Sequence, residues 1–239
     1  MRVVSWFSCG AASATATLLA LHKYPDLEIV YCKVNDEHLD NARFLKDFER
    51  VIGKQIKVLT NDGFNGSVQR VILKRGYIKN KNGAPCTAVL KKDVRREYQR
   101  PGDLQIFGFT AEETERAGKF IDANNDVDEW FPLIDYGFTK AMCLDVIQML
   151  GIDIPVMYRL GYKNNNCIGC VKGGMGYWNQ IRIDFPDRFE QMAKLERIIG
   201  FAVNKDDNGP VFLDELDPNR GHRLRDAPGD CGFTCEASK

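Results

Sequence analysis

Residues 3–21, VVSWFSCGAASATATLLAL, constrain the fold more than any other stretch of the chain. Residues 3–7 are a short β-rich apolar run. Ser8, Cys9, Gly10, Ala11, Ala12 and Ser13 are all small, and an apolar helical pattern follows through Ala16, Leu18, Leu19 and Leu21. Strand, small-residue turn and helix in that order leave unpaired backbone N–H groups at a helix start. Those donors and the helix dipole both favour an anion there. Small side chains also let a phosphate approach the backbone closely. The same residues suit a plain tight turn that binds nothing, so the loop has to be judged against the rest of the chain.

The alternation continues. Residues 28–34 read as a second strand, with Asn35, Asp36, Glu37 and His38 at its C-terminal end, where open α/β sheets place ligands. Asp40 reads as the N-cap of a helix through Phe44, Leu45, Phe48 and Val51 that stops at Gly53, and residues 55–59 as a third strand. This βαβαβ spacing predicts an α/β fold with a doubly wound, mostly parallel sheet. A helix over 67–75 precedes a basic loop with Lys79 and Lys81 and a turn over 83–87 that carries Cys86. The next helix holds Lys91, Lys92, Arg95 and Arg96, which read either as a solvated face or as a phosphate clamp. Residues 104–107 predict a strand, residues 110–113 a capping box, and residues 131–134 another strand-like run. Thr139 caps a helix that runs to Leu150 and stops at Gly151.

From Ile152 the periodicity is lost, and turn residues surround Cys167-Ile168-Gly169-Cys170, a C-x-x-C knuckle. A helix over 185–199 follows, then a charged tail rich in Pro and Gly. The expected organisation is a nucleotide-binding α/β domain over 1–160, a knuckle and helix packed on it over 161–205, and a tail over 206–239. No run of about 18 apolar residues offers a membrane span. The chain therefore reads as cytoplasmic, where clustered cysteines point to metal or redox chemistry rather than disulfides. Of the eight cysteines, Cys32 and Cys143 sit in apolar patterns and read as small buried hydrophobes. Three thiolates from Cys86, Cys167 and Cys170 would hold an iron–sulfur cluster with one iron open, or a zinc with a fourth ligand. A lone C-x-x-C also suits a dithiol redox pair. Cys231 and Cys235 in the tail read as incidental, or as a nucleophile that would need a cationic pocket. The zero net charge argues against a sequence-blind nucleic-acid binder without excluding a local basic groove.

In order, these segments resemble the phosphoadenosine-phosphosulfate (PAPS) reductase family of the PP-loop, or adenine nucleotide alpha hydrolase-like, superfamily, in its phage and mobile-element branch. The family's S-G-G-x-D-S loop resembles Ser8-Cys9-Gly10-Ala11-Ala12-Ser13, and its acidic turn matches Asp36, Glu37 and His38. Its cysteine-plus-lysine segment matches Cys86, Thr87, Leu90 and Lys91. Its G-x-R-x-x-E-S-x-x-R-A segment matches Gly108, Thr110, Glu113, Arg116 and Ala117, and its P-L-x-D-W segment matches Pro132, Leu133 and Asp135. Ile154-Pro155, Tyr158, Gly161-Tyr162, Cys167 and Cys170 match the closing segments, and Asp230-Cys231-Gly232-Phe233 resembles the E-C-G-L-H tail.

The resemblance implies that ATP, adenylyl sulfate or PAPS binds at Ser8, Cys9, Gly10, Ala11, Ala12, Ser13, Asp36, Glu37, Lys91, Thr110, Glu113 and Arg116. It implies a [4Fe-4S] cluster on Cys86, Cys167 and Cys170, with zinc as the fallback. The cluster-containing reductases place a cysteine pair at the first position, where this chain has Cys86-Thr87. Ala11 and Ala12 replace the family's loop lysine and aspartate, and Thr110 replaces an arginine that would grip phosphate or sulfate bidentately. Three expectations follow. The first is a sulfonucleotide reductase in which Cys231 attacks the sulfur and a thioredoxin-like dithiol releases sulfite. The second is an ATP pyrophosphatase adenylating a nucleic acid for cluster-dependent sulfur insertion, as in phosphorothioation or tRNA thiolation, with a sulfur donor as partner. The third is a non-catalytic nucleotide- or cluster-binding regulator. A homodimer fits any of them.

Overall fold

The computed structural model describes residues 1–80, 83–229 and 231. Lys81, Asp230, Gly232, Phe233 and Cys235, which carry parts of the sequence reading, lie outside the described residues. The chain divides into two compact units. The first comprises Met1–Lys33, Leu39–Thr60 and Val94–Arg159, and the second Val34–His38, Asn61–Asp93 and Leu160–Lys239. Residues 34–38 and 61–93, expected within a 1–160 domain, thus group with the cysteine-bearing C-terminal part.

The first unit is α/β. Its five strands are β1 (Val3–Phe7), β2 (Glu28–Cys32), β3 (Lys57–Leu59), β4 (Leu104–Ile106) and β5 (Asp128–Trp130). They pair in the order β3-β2-β1-β4-β5, all parallel, and helices flank the sheet. Every residue of the central strand β1 is buried, as a parallel strand covered on both faces requires. Its polar groups are paired: the Ser5 hydroxyl meets Thr17 Oγ1 at 2.8 Å, and Trp6 Nε1 donates to Gln105 Oε1 at 2.9 Å. The helix after β1, α1 (Ala11–Lys23), turns Ala11, Ala12, Ala14, Ala16 and Ala20 into the core, and such small side chains let it lie close to the sheet. The next helix, α2 (Asn41–Ile52), brings Phe44 and Phe48 against Phe7 with ring centroids 6.1 and 5.2 Å apart.

Three local expectations are corrected. The strand expected over 131–134 falls earlier, at Asp128–Trp130, and Pro132–Asp135 is a short helix. Pro132 lacks an N–H and has a fixed φ, which suits the first turn of a helix and not a strand interior. Asp40 occupies the N-cap position of α2, yet its side chain does not cap. It accepts instead from Arg43 Nε at 2.7 Å and from the Val156 N–H at 2.9 Å. The four cations over 91–96 do not share one solvated face, because Lys91 and Arg95 are buried while Arg96 is exposed. Arg95 lies in the first unit with its guanidinium 5.2 Å from the Phe120 ring centroid, and it donates to Asn124 Oδ1 at 2.6 Å.

The second unit holds α3 (Val68–Arg75), the helices Met175–Asp184 and Pro186–Ile199, and a hairpin pairing Asn204–Asp206 with Gly209–Val211. The Met175–Asp184 helix lies in and beyond the turn-rich stretch where no helix is expected, and it carries Gly176 near its start for a steric reason. A Cβ on Gly176 would lie 2.4 Å from the backbone nitrogen of His222, so the tail passes directly over the helix start. Asp226 Oδ2 accepts from the N–H groups of Gly176 and His222, both at 2.8 Å. Asn179 Nδ2 donates to the carbonyls of Asp217 and Arg220. The segment after the hairpin is therefore a strap fixed to this helix.

Glu196 closes the same region. It is fully buried, and its two carboxylate oxygens accept from the N–H groups of Val203 at 2.5 Å and Leu213 at 2.7 Å. Burial, opposed by those two donors, pushes its carboxyl up to about 7. A carboxyl raised above its unfolded value binds its proton more tightly in the folded state. Its contribution is fully present below about pH 4.5 and is lost as pH rises through about 7. A Glu196→Gln variant cannot lose that proton, but its amide turns an N–H group towards a second N–H donor. The variant should unfold at lower temperature at every pH, by the equivalent of about 1–3 kcal/mol for one unmet buried donor. The gap to wild type should narrow between pH 5 and 8. Melting curves across that range test this, and a gap that widens with pH would refute it.

No helix among the described residues is long and apolar enough to cross a membrane.

Candidate functional site

In the first unit, the loop expected to bind phosphate is tightly built. The Ser13 hydroxyl accepts from the Ser8 N–H and the Ser8 hydroxyl, each at 3.0 Å, and donates to the Gly10 carbonyl at 3.0 Å. Cys9 takes a left-handed φ of 55°, a conformation that costs a side-chain-bearing residue about 1 kcal/mol and favours glycine. Gly10 stands at the N-cap of α1, and no side chain caps the helix there. The first-turn N–H groups therefore face whatever fills the space in front of them. A Cβ on Gly10 would lie 3.2 Å from Tyr158 Oη, and that buried hydroxyl has no hydrogen-bond partner among the described residues. An uncapped helix start of 13 residues and an unmet hydroxyl thus converge on one small space. In the sequence Tyr158 is visible only as part of a motif, because nothing local marks which way its hydroxyl points.

Gly108 packs against this loop. A Cβ there would fall 2.6 Å from Ser13 Cα and 2.9 Å from the Ala12 carbonyl carbon. Thr110 and Glu113 form the expected capping box, with the Thr110 N–H donating to Glu113 Oε2 at 3.1 Å. Glu113 also pairs with Arg116, whose guanidinium sits 4.6 Å from the Phe109 ring centroid. Thr110, Glu113 and Arg116 are thus engaged with one another in the first unit, alongside the loop residues.

In the second unit, Cys86, Cys167, Cys170 and Cys231 line one pocket. Cys86 is held at the start of a helical run, Pro85–Thr87, that continues as a π-helical turn over Ala88–Lys92. The knuckle is fixed by aromatic side chains. Tyr177 Oη accepts from the Cys170 N–H at 2.9 Å and donates to the Cys167 carbonyl at 3.3 Å. A Cβ on Gly173 would sit 2.0 Å from Tyr177 Cδ1, so only glycine leaves room for that ring beside the knuckle.

Asp36, Glu37 and Lys91 also belong to this unit, whereas the loop residues with which the sequence grouped them belong to the first. Asp36 accepts from the Val68 N–H at 2.8 Å, at the start of α3, and from Arg188. Lys91 Nζ lies 3.2 Å from Glu37 Oε1 and donates to the Cys231 carbonyl at 3.4 Å, and both members of the pair are buried. Burial works to lower the Lys91 ammonium, but Cys231, Glu37 and Cys167 around it raise it well above its ordinary value. Burial drives the Cys167 thiol well up. Burial acts on Cys231 in the same sense, yet Lys91, Lys172 and the Thr87 hydroxyl outweigh it and bring that thiol down. Cys170 and Cys231 are buried and Cys86 and Cys167 half-buried, and the cations beside Cys231 give that thiol the environment in which a thiolate forms.

Among the described residues, no three His, Cys, Asp or Glu side chains are drawn together as the ligands of a single ion are. A tetrahedral zinc needs all its sulfurs about 2.3 Å from one point. A four-iron cluster binds each thiolate on a different iron and holds them farther apart. Cys86, Cys167, Cys170 and Cys231 share one pocket, which offers four sulfur donors.

Together these features define an α/β protein with a five-stranded parallel sheet and a second unit whose pocket is lined by four cysteines. No family model matches the chain. It is similar to an uncharacterized protein of Methanocaldococcus jannaschii, 24% identical over 222 residues, which covers 89% of this chain and 52% of the archaeal protein. The chain therefore spans about half the length of that relative.

Proposed function

We propose that the chain is an adenine-nucleotide-dependent enzyme of sulfur chemistry, an ATP pyrophosphatase that adenylates a nucleic-acid oxygen so that sulfur can replace it. The observation that carries this choice is the position of Cys231. A reductase needs a tail thiol that reaches the sulfur of a bound sulfonucleotide. Cys231 is instead buried in a pocket that Cys86, Cys167 and Cys170 also line, with its N–H donated to Asn166 Oδ1 at 2.9 Å.

In this reading the uncapped N–H groups of α1 and the Tyr158 hydroxyl receive the nucleotide's phosphates. A carbonyl or phosphate oxygen of the nucleic acid attacks the α-phosphorus of ATP. The bond to the bridging oxygen breaks, and pyrophosphate leaves. A hydrosulfide ion then displaces AMP, which departs with the former acceptor oxygen, and the new S–H proton is released to solvent. Cys86, Cys167 and Cys170 hold the [4Fe-4S] cluster, which supplies electron transfer or an iron site for sulfur when bound.

A second reading, sulfonucleotide reduction by Cys231, is favoured by the cations around that thiol, since a depressed thiol is a better-populated nucleophile at neutral pH. One pair of assays separates the two. Anaerobic protein is given ATP with DNA or with RNA and followed for pyrophosphate. It is then given adenylyl sulfate or PAPS with a dithiol and followed for sulfite. Pyrophosphate without sulfite is the expected result. Sulfite without pyrophosphate would replace this proposal by the reductase, and neither product would leave a nucleotide-binding regulator.

A further inference from the structure

We propose that Cys231 is the fourth protein ligand of the cluster, taking the coordination position for which the residue after Cys86 supplies no sulfur. This rests on the cluster part of the reading above and deepens it. The residue after Cys86 is Thr87, whose hydroxyl oxygen lies 3.8 Å from Cys231 Sγ. The tail thus brings a sulfur to the place next to Cys86 where the chain itself has only an oxygen, a poor ligand for iron in such clusters.

The approach of Cys231 is built on both of the other cysteine segments. Asn166, immediately before Cys167, is buried and grips the tail twice: its Nδ2 donates to the Gly229 carbonyl at 3.0 Å and its Oδ1 accepts from the Cys231 N–H at 2.9 Å. Asn164 Nδ2 donates to the Pro228 carbonyl at 3.0 Å. On the Cys86 side, Lys91 donates to the Cys231 carbonyl at 3.4 Å. A nucleophile that must travel has no need of such a seat, whereas a ligand does. Charge points the same way. Four thiolates on a cluster leave a buried negative site, and buried charge demands nearby counter-charge, which Lys91 and Lys172 provide. Cys231 would bind as the thiolate and release its proton to solvent, as metal-bound thiols do. All four irons then carry protein sulfur and none stays open, which assigns the cluster to electron transfer or structure rather than to carrying sulfur.

The test uses the full chain, purified or reconstituted without oxygen, as wild type, Cys231→Ser and Cys235→Ser. Wild type and Cys235→Ser should hold about four irons and four sulfides per chain and be silent in EPR when oxidised. Cys231→Ser should fall to about three irons and show a three-iron EPR signal, with its circular dichroism unchanged. An independent measurement on wild type avoids any variant that fails to fold. Cys231 should resist alkylation, read by mass spectrometry, while the cluster is present, and should label once a chelator strips the iron. Full iron and a silent spectrum in Cys231→Ser, or labelling of Cys231 in the loaded protein, would overturn the ligand assignment alone. An iron-free wild type would overturn the cluster reading and the assignment with it.

Discussion

Gly108→Ala should destabilise the first unit by about 3 kcal/mol and remove nucleotide binding. The added methyl would fall 2.6 Å from Ser13 Cα, 2.7 Å from Ser13 N and 2.9 Å from the Ala12 carbonyl carbon. These are backbone atoms in the first turn of α1, so no side chain can swing aside to make room. The only relief is to push β4 and the segment after it away from the loop, or to unwind the start of α1. Either response moves the N–H groups that face the phosphate site, and it disturbs the hydrogen bonds through which Ser13 ties Ser8 to Gly10. Thermal unfolding should shift down by roughly 6–12 °C for a chain of this size, and ATP binding should vanish in calorimetry. Gly118→Ala is the matched control. It lies in the helix Thr114–Ala123, a Cβ there meets nothing within 4 Å, and alanine is the better helix former. That variant should melt at or slightly above wild type. Equal melting temperatures for the two alanine variants would refute the packing argument.

The contrast between these glycines illustrates what a sequence discloses. β1, the small-residue turn, α1, the capping box at Thr110 and the stop at Gly53 are visible because each depends on neighbours within a few positions. The parallel sheet follows from the alternation of such pieces. What local patterning does not disclose is which distant backbone passes overhead. Gly176 looks like a helix breaker until the strap at His222 is seen to need its missing Cβ. Lys91 and Arg95 look like surface cations, since only the fold reveals Glu37 beside one and the Phe120 ring beside the other. The three expected ligands Cys86, Cys167 and Cys170 do line one pocket, but the presence of Cys231 with them could not be read from the spacing. Nor could the assignment of Asp36 to the start of α3, because that bond spans 32 positions.

Lys91→Met should cost about 3–5 kcal/mol, the usual result of deleting one member of a buried ion pair. The methionine keeps much of the side-chain volume, so the loss comes from charge rather than from a cavity. Glu37 would lose the ammonium 3.2 Å from its Oε1, and the Cys231 carbonyl would lose a donor. Cys231 and Cys167, which with Glu37 hold the ammonium well above its ordinary value despite burial, would lose that counter-charge. The variant should therefore unfold at lower denaturant concentration and retain less iron after anaerobic reconstitution. The double variant Lys91→Met, Glu37→Gln removes both charges together. It should recover most of the lost stability, because a neutral amide is far cheaper to bury than an unpartnered carboxylate. It should not recover the iron, because the Lys91 share of the counter-charge for the cluster's thiolates is still missing and Lys172 alone remains. Denaturant midpoints and iron content on the two variants thus separate the two roles of Lys91. If iron returned along with stability, the lysine would be a structural partner of Glu37 alone. If neither returned, methionine would be damaging the packing, and the charge argument would fail.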